Sequence, residues 1–375
     1  MSGTRVGVFL PKLTEYGGAE SFAYRLSGAL SGAGFDTSFI CARREAEPPD
    51  GVRVIEVGRP KSFRALKVAS YAMAAEEVRE RERFDVSLSL GKTLRQDILR
   101  ASGGPLDVFW RLSRRAWPGG APRAFKMLRR RASPANMIIR DIERKSLKNS
   151  RVVVAVSHLV RDWLVQAHPW LAEKDLRVVY NKPDLSRFSP PDDEEREAAR
   201  RALGVDPGRV AVGLAGTNFA LKGVGTLIRA MAELPDEFTA YVAGGRRPER
   251  FKALAKKLGV AGRVEFLGRV DDMPGFYNAL DVFALPSFYD TCSNAVLEAL
   301  ASGVRVISSS DNGSSFFLPE RWVIADPGDA GELARALESA ASEPPPGPFA
   351  WPEGVDCGVE PYLELVEELA EGGQG

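Results

Sequence analysis

Short apolar runs recur along the chain and alternate with stretches in which apolar residues return at helical spacing. In the first half the runs "RVGVFL", "TSFICA", "VRVIEV", "FDVSLSL", "RVVVAV" and "LRVVY" read as strands. In the second half "RVAVGLA", "FTAYVA", "RVEFLG", "DVFALP", "VRVISS" and "RWVIA" read the same way. Between them, residues 19–30, 64–83, 224–233, 249–258 and 294–301 carry the helical pattern. Strands that alternate with helices imply parallel sheets covered on both faces. Runs such as "VVVAV" and "AVGLA", apolar at every position, fit strands buried on both sides.

The alternation occurs twice. The stretch "NKPDLSRFSPPDDEE" from Asn181 separates the two sets and has the Pro-rich, charged composition of a linker. We therefore expect an α/β chain of two doubly wound, Rossmann-like domains facing each other across a cleft. The expected boundaries are 1–185 and 186–355. A tail, 356–375, follows "SEPPPGPFAWPEG" and holds an amphipathic helix that can pack back on the first domain. Ligands of such sheets bind at the carboxyl ends of the strands, so the cleft is the expected site.

Composition narrows the classes. The chain has 375 residues, 51 Lys or Arg against 50 Asp or Glu, and only three cysteines. Balanced charge argues against a general nucleic-acid binder, and three scattered cysteines fit a reducing cytoplasm. "MSGTRVGVFLPKL" lacks the pattern of a secretion signal, and no apolar run reaches the ~18–20 residues of a spanning helix. One segment is biased: residues 110–150 hold twelve Lys or Arg and two acids, with Phe109, Trp110, Trp117 and Phe125 interleaved or adjoining. A solvated helical face, an anionic lipid surface and a phosphorylated acceptor all fit this bias. RNA fits poorly, because nothing else resembles an RNA module.

Three stretches carry candidate chemistry. Gly17 and Gly18 in "YGGAESF" sit at a strand-to-helix turn, where glycine lets backbone approach a phosphate. The spacing is not that of a dinucleotide fingerprint. Gly216 and Thr217 follow the strand "VAVGLA", and Lys222 sits where the next helix begins, a setting that suits a diphosphate. In "PSFYDTCSNAVLEALASG" Asp290 precedes a helix and Glu298 lies about one turn into it. The small residues Thr291, Cys292, Ser293 and Asn294 leave room for a ligand against the helix N-terminus. Glu298 could accept two hydrogen bonds from a vicinal diol. Taken alone, either acid is also explained as a solvated surface group. The two histidines, His158 and His168, lie at no metal-ligand spacing, and Asp-x-Asp is absent, so a metal-free diphosphate site is favoured.

Together the segments "GGAE" (17–20), "YNKPDLSRFSP" (180–190), "LKGVGTLIRA" (221–230), "VEFLGRVDDMPGFYNALDVFALPS" (264–287) and Asp290 to Glu298 resemble retaining glycosyltransferases of the GT-B fold, in the large family four. Within it, the runs "FALKGV", "RPERFKALAKKLGV" and "GRVDDM" are most like the members that add glucose to heptose in lipopolysaccharide core. The resemblance implies a UDP-sugar donor, no cofactor and no metal, and a saccharide or glycolipid acceptor. Lys222 would bind the diphosphate, Glu298 the ribose, Asp290 the donor sugar, Gly18 the phosphate and Val264 the neighbourhood of the base. Two places depart from the family. Thr217 stands where many members carry Arg, leaving Lys222 to work with backbone dipoles and Arg246. Leu106 stands where many carry His, so Asp97 and Asp107 become candidates to orient the acceptor hydroxyl. Other donors (GDP-mannose, UDP-N-acetylglucosamine) and a catalytically weak sugar-nucleotide binder are the alternatives.

Overall fold

The computed structural model describes residues 3–58, 60, 63–117, 119–245, 247–344 and 346–372. Its strands are β1 (Arg5–Phe9), β2 (Lys12–Leu13), β3 (Asp36–Cys41), β4 (Arg43–Arg44), β5 (Arg53–Glu56), β6 (Val86–Ser89), β7 (Gln96–Ala101), β8 (Ser150–Ala155), β9 (Asp175–Val178), β10 (Val210–Ala215), β11 (Phe238–Ala243), β12 (Val264–Gly268), β13 (Val282–Leu285), β14 (Arg305–Ser309) and β15 (Val323–Ile324). The helices of the first half are α1 (Gly18–Gly32), α2 (Arg64–Glu82), α3 (Leu106–Ser113), α4 (Ala121–Arg131), α5 (Pro134–Asn149) and α6 (His158–Ala167). Those of the second are α7 (Asp193–Leu203), α8 (Val224–Met231), α9 (Glu249–Lys257), α10 (Met273–Asn278), α11 (Asn294–Ala301), α12 (Ala330–Ser342) and α13 (Glu360–Glu371).

The strands form two larger sheets, ordered β5-β3-β1-β6-β7-β8-β9 and β12-β11-β10-β13-β14-β15. Every pairing in them is parallel. Both are doubly wound: the chain works outward from β1 or β10 to one edge, then returns to build the other side. The reversal falls between β1 and β6 in one sheet and between β10 and β13 in the other. At such a reversal the two loops leave in opposite directions and open a crevice at the carboxyl ends. Parallel strands with helices on both sides are mostly apolar along their length. Accordingly "FTAYVA" of β11 and "VFAL" of β13 are buried at every position.

The chain divides into two compact units. One comprises Met1–Val108, Gly119–Asn181 and Val355–Gly375; the other comprises Phe109–Pro118 and Lys182–Gly354. The first core joins Val6, Val8, Phe39, Val86 and Val154 of the sheet to Phe22 and Leu26 of α1. Tyr362, Leu365, Val366 and Leu369 of α13 belong to that same core, with Tyr362 edge-on to Phe22 at 5.3 Å between ring centres. The tail helix is thus a structural part of the first unit. The second core gathers Val212, Leu214, Val242, Phe283 and Ile307 of the sheet with Leu227, Val296 and Leu333 of the helices. The chain also departs from an end-to-end division, because the short stretch from Phe109 groups with the second unit. Ala116 and Trp117 pack on that unit's core, and Arg250 lies over the Trp117 ring.

Candidate functional site

The second sheet brings Lys222 and Asp290 together at its reversal point. β10 runs into Gly216 and Thr217 before α8, and β13 runs into Pro286–Ser293 before α11. The two loops are fastened to each other: the Phe288 N–H donates to the Leu221 carbonyl at 2.8 Å. Glycine is required at two of these positions. A Cβ on Gly223, whose φ is +75°, would lie 2.1 Å from the Pro286 carbonyl oxygen. A Cβ on Gly216 would lie 2.7 Å from Cγ of Lys222, so the lysine stem runs across this residue. That path carries Nζ of Lys222 onto Oδ2 of Asp290, where the two form an ion pair. Their side chains are 21% and 11% exposed, so the pair is largely withdrawn from water yet reachable.

Glu298 is fixed differently. It lies in α11, one turn beyond Asn294. Its Oε2 accepts a hydrogen bond of 2.9 Å from the fully buried Tyr277 hydroxyl of α10. Burial first, and the neighbouring Glu298 carboxylate second, hold the Tyr277 phenol well above its ordinary pKa, so it remains a proton donor. Ser293 occupies the N-cap of α11 without a side-chain cap, so the Thr291–Asn294 stretch that the sequence singled out runs directly into the helix N-terminus.

Sequence reasoning missed the element that holds this loop. The stretch "SSSDNGSS" (308–315), which begins with the last two residues of β14, clamps it at several points. Asp290 donates its N–H to the Asp311 carbonyl (3.0 Å) and accepts at its own carbonyl from Gly313 N–H (2.9 Å). The Ser309 hydroxyl donates to Ser287 O (2.5 Å) and the Ser314 hydroxyl to Ser293 O (3.1 Å). Asn312 donates from Nδ2 to Ser308 Oγ (2.9 Å) and accepts from Ser314 N–H (3.1 Å). A run of serines closing a strand and running into its loop was the available signal, since hydroxyls bond readily to nearby backbone.

Arg115 was also missed, having been counted in a basic surface. It pairs with Asp311 (2.8 Å) and Asp326 (2.7 Å) inside the second unit. Burial raises the pKa of Asp311 and the Arg115 charge offsets this only in part. Phe109 packs edge-on against Tyr289, next to Asp290, at 5.1 Å between ring centres. The basic segment is therefore divided: Phe109 and Arg115 belong to the second unit, while Arg140 pairs with Asp107 and Lys145 with Asp141 at the exposed surface of the first.

Two expectations are corrected. Asp97 is the second residue of β7, at the amino end of a parallel strand. Its Oδ2 accepts from the Ser87 N–H (2.8 Å) and hydroxyl (2.6 Å), so it ties β6 to β7 rather than meeting an acceptor. Val264 begins β12, and its side chain belongs to the hydrophobic core. The carboxyl end of that strand, where a base could lie, is Gly268, about 13 Å further at 3.3 Å per residue. Asp107 stands in the first turn of α3, after the carboxyl end of β7. Gly17 caps α1 at φ +111°, and open space surrounds the missing Cβ of Gly18. Thr217 is exposed, and Arg246 lies outside the described residues. Among the described residues no group of three or more His, Cys, Asp or Glu side chains could hold a metal ion.

Known proteins resemble the chain in part of its sequence and in its fold. Residues 209–343, within the second unit, match the family described as glycosyl transferases group 1. The two Rossmann-like units have the GT-B fold, as the motifs led us to expect. The structure resembles that of WaaG, a glycosyltransferase involved in lipopolysaccharide biosynthesis, with a TM-score of 0.75 at 19% identity, covering 98% of this chain and 94% of that one. It also resembles Anabaena Alr3699/HepE in complex with UDP and glucose (TM-score 0.67, 17% identity, 99% and 98% covered). In sequence the chain is 37% identical over 124 residues to the lipopolysaccharide core biosynthesis glycosyltransferase LpsE of Rhizobium meliloti (strain 1021). It is 34% identical over 178 residues to a D-inositol 3-phosphate glycosyltransferase of Mycobacterium sp. (strain KMS). These alignments cover 32% and 45% of this chain and span only 36% and 40% of the relatives' lengths.

Proposed function

We propose that this protein is a glycosyltransferase that moves a hexose, glucose in the first instance, from a UDP-sugar to a membrane-held saccharide acceptor such as lipopolysaccharide core. Transfer would proceed with retention at the anomeric carbon and without a metal ion. The observation that carries this reading is the Lys222–Asp290 pair at the reversal of a doubly wound sheet, with Glu298 anchored by Tyr277 a short distance along the next helix. A retaining transfer on this fold needs no side-chain nucleophile. The leaving diphosphate takes the acceptor proton while positive charge builds on the sugar ring. The protein's task is then to hold the donor and stabilise the leaving group. Lys222 offers the point charge, and the first-turn N–H groups of α11 offer dipoles. Asp290, itself held by Lys222 and the 308–315 loop, is the residue to meet the donor sugar. Glu298 is suited to a ribose diol. The similarity of part of the chain to LpsE, and of the fold to a protein solved with UDP and glucose, supports the donor and acceptor classes.

A thermal-shift panel of UDP-, GDP- and ADP-sugars tests this. At a hundredfold excess over Kd, a UDP-sugar should stabilise the chain by about 2.7 kcal/mol. For a unit of this size that is roughly 5–10 °C in Tm. A shift with GDP-mannose alone overturns the uridine assignment. For the membrane, no helix among the described residues is long and apolar enough to cross it. Helix α4 supplies a surface alternative: Arg129, Arg130 and Arg131 with Phe125 and Leu128 exposed beside them. Charge reversal at Arg129–Arg131 should abolish binding to anionic liposomes while sparing UDP binding; liposome binding that survives the reversal removes the idea.

A further inference from the structure

The segment Phe109–Pro118 belongs to the second unit, although the chain on either side of it belongs to the first. Phe109 packs edge-on against Tyr289, one residue before Asp290, and Ala116 and Trp117 pack on the second unit's core. Between these anchors a short 3-10 turn, Arg114–Ala116, carries Arg115. Its guanidinium forks: Nη1 donates to Oδ2 of Asp311 (2.8 Å) and Nη2 to Oδ1 of Asp326 (2.7 Å). The two acids sit in the loops that leave the neighbouring strands β14 and β15.

Through Asp311 the fork reaches the donor loop. The Asp311 carbonyl accepts the Asp290 N–H, the Asp290 carbonyl accepts from Gly313 N–H, and Asp290 and Asn312 thereby form a parallel bridge. Both backbone groups of Asp290 are held by the stretch that Arg115 anchors. Without a cation between them, Asp311 and Asp326 would be two like charges in one place, and Asp311 is largely buried. Burial, and after it the Asp326 charge, raise the Asp311 pKa; Arg115 first and Arg111 second oppose them. Repulsion between the two acids would pull on the 311–313 backbone, and with it on Asp290.

We infer that Arg115 is a positioning residue for the donor sugar: by bridging Asp311 and Asp326 it fixes the backbone that aims Asp290. The inference rests on the reading that Asp290 meets the sugar; the fork and the bridge stand without it. Lys222 holds the Asp290 side chain and residues 311–313 hold its main chain, so the carboxylate is fixed from both ends. A planar guanidinium suits two acceptors at once, whereas a lysine ammonium is a point charge. The supports of the nucleotide do not involve Arg115: the Lys222 stem lies across Gly216, and Glu298 is held by Tyr277. Displacing Asp290 therefore weakens the hold on the sugar and spares the hold on the nucleotide.

Titration calorimetry on the full chain, with UDP and UDP-glucose run in parallel, tests it through the ratio Kd(UDP-glucose)/Kd(UDP). Arg115→Met should raise that ratio about five- to tenfold, somewhat less than the outright loss of one charge-assisted contact, with UDP itself within about twofold of wild type. Arg115→Lys, which keeps the charge but not the fork, should raise it less. Asp311→Asn added to Arg115→Met removes the like-charge pair and should return the ratio most of the way to wild type. In an Asp290→Ala background Arg115→Met should raise the ratio no further, because no carboxylate is left to aim. An unchanged ratio in Arg115→Met, equal weakening of both ligands in a folded protein, no recovery with Asp311→Asn, or a full effect in Asp290→Ala overturns the inference. Should Arg115→Met fail to fold by its melt, Arg115→Lys decides: a raised ratio supports the inference and a wild-type ratio overturns it. If Asp290→Ala alone leaves the ratio at its wild-type value, or wild type binds neither ligand, the reading of the donor site fails instead.

Discussion

Replacing Lys222 by Met removes one charge and keeps the stem that runs across Gly216. The Asp290 carboxylate, 11% exposed, then loses its counter-ion. Two unit charges about 4 Å apart attract by about 4 kcal/mol at an effective dielectric constant near 20. Desolvation and lost side-chain freedom cancel most of this, so the net cost of the single variant is about 1–3 kcal/mol. Asp290→Asn in the same background should recover part of that cost. The double-mutant cycle should give a coupling energy of about 1–2 kcal/mol. Denaturant titration measures these values. For the ligand, one charge-assisted contact to a diphosphate is worth about 1.5–3 kcal/mol, or roughly 10–150-fold in Kd for UDP-glucose. Calorimetry reads that directly. A Lys222→Met protein that binds UDP-glucose as tightly as wild type refutes the assignment. Coupling below about 0.3 kcal/mol would show that the ion pair is incidental.

Three further outcomes are expected. Glu298→Ala should weaken UDP about tenfold but leave pyrophosphate unchanged, because pyrophosphate has no ribose; equal losses for the two ligands would move Glu298 off the ribose. Asp311 has a folded-state pKa raised above the ordinary 3.8 by burial, so the folded state holds its proton more tightly and this group's contribution to stability falls as pH rises through that window. Asp311→Asn should therefore gain on wild type as melts move from pH 4 to pH 7, and a difference in Tm that stays flat with pH contradicts the burial argument. Leu365→Ala in α13 should cost about 2–5 kcal/mol by urea denaturation, since Leu365 sits in the first unit's core; a loss under 1 kcal/mol would mean that the tail helix is not part of that core.

The sheets were legible because their strands are apolar at nearly every position, so "AVGLA" and "VVVAV" announce themselves. Strand β7 escaped notice for the opposite reason. "QDILRA" carries Gln96, Asp97 and Arg100, yet Gln96 and Arg100 are buried. Arg100 donates to its neighbour Ser102 (2.6 Å) and to Asn181 (2.5 Å) and stacks over Phe22, the last two far away in the chain. No periodicity encodes such a contact. Missing β7 also misled the reading of Asp97, since without the strand its position at the wrong end of the sheet could not be seen. In the second unit Lys222 and Asp290 were visible because each lies at a strand-to-helix junction, and Glu298 because it sits one turn into the helix that follows Asp290. What brings the first two together is the order of strands, β10 beside β13, and order is a property of topology rather than of local pattern. The clamp by 308–315 and the double pairing of Arg115 are long-range for the same reason.

A crystal structure of the protein soaked with UDP-glucose tests the central claim most directly. The account predicts the diphosphate at Nζ of Lys222 and the first turn of α11, with both ribose hydroxyls within hydrogen-bonding distance of the Glu298 carboxylate and the glucose beside Asp290. A nucleotide bound elsewhere, with Lys222 still closed on Asp290 and Glu298 meeting only Tyr277, would contradict it.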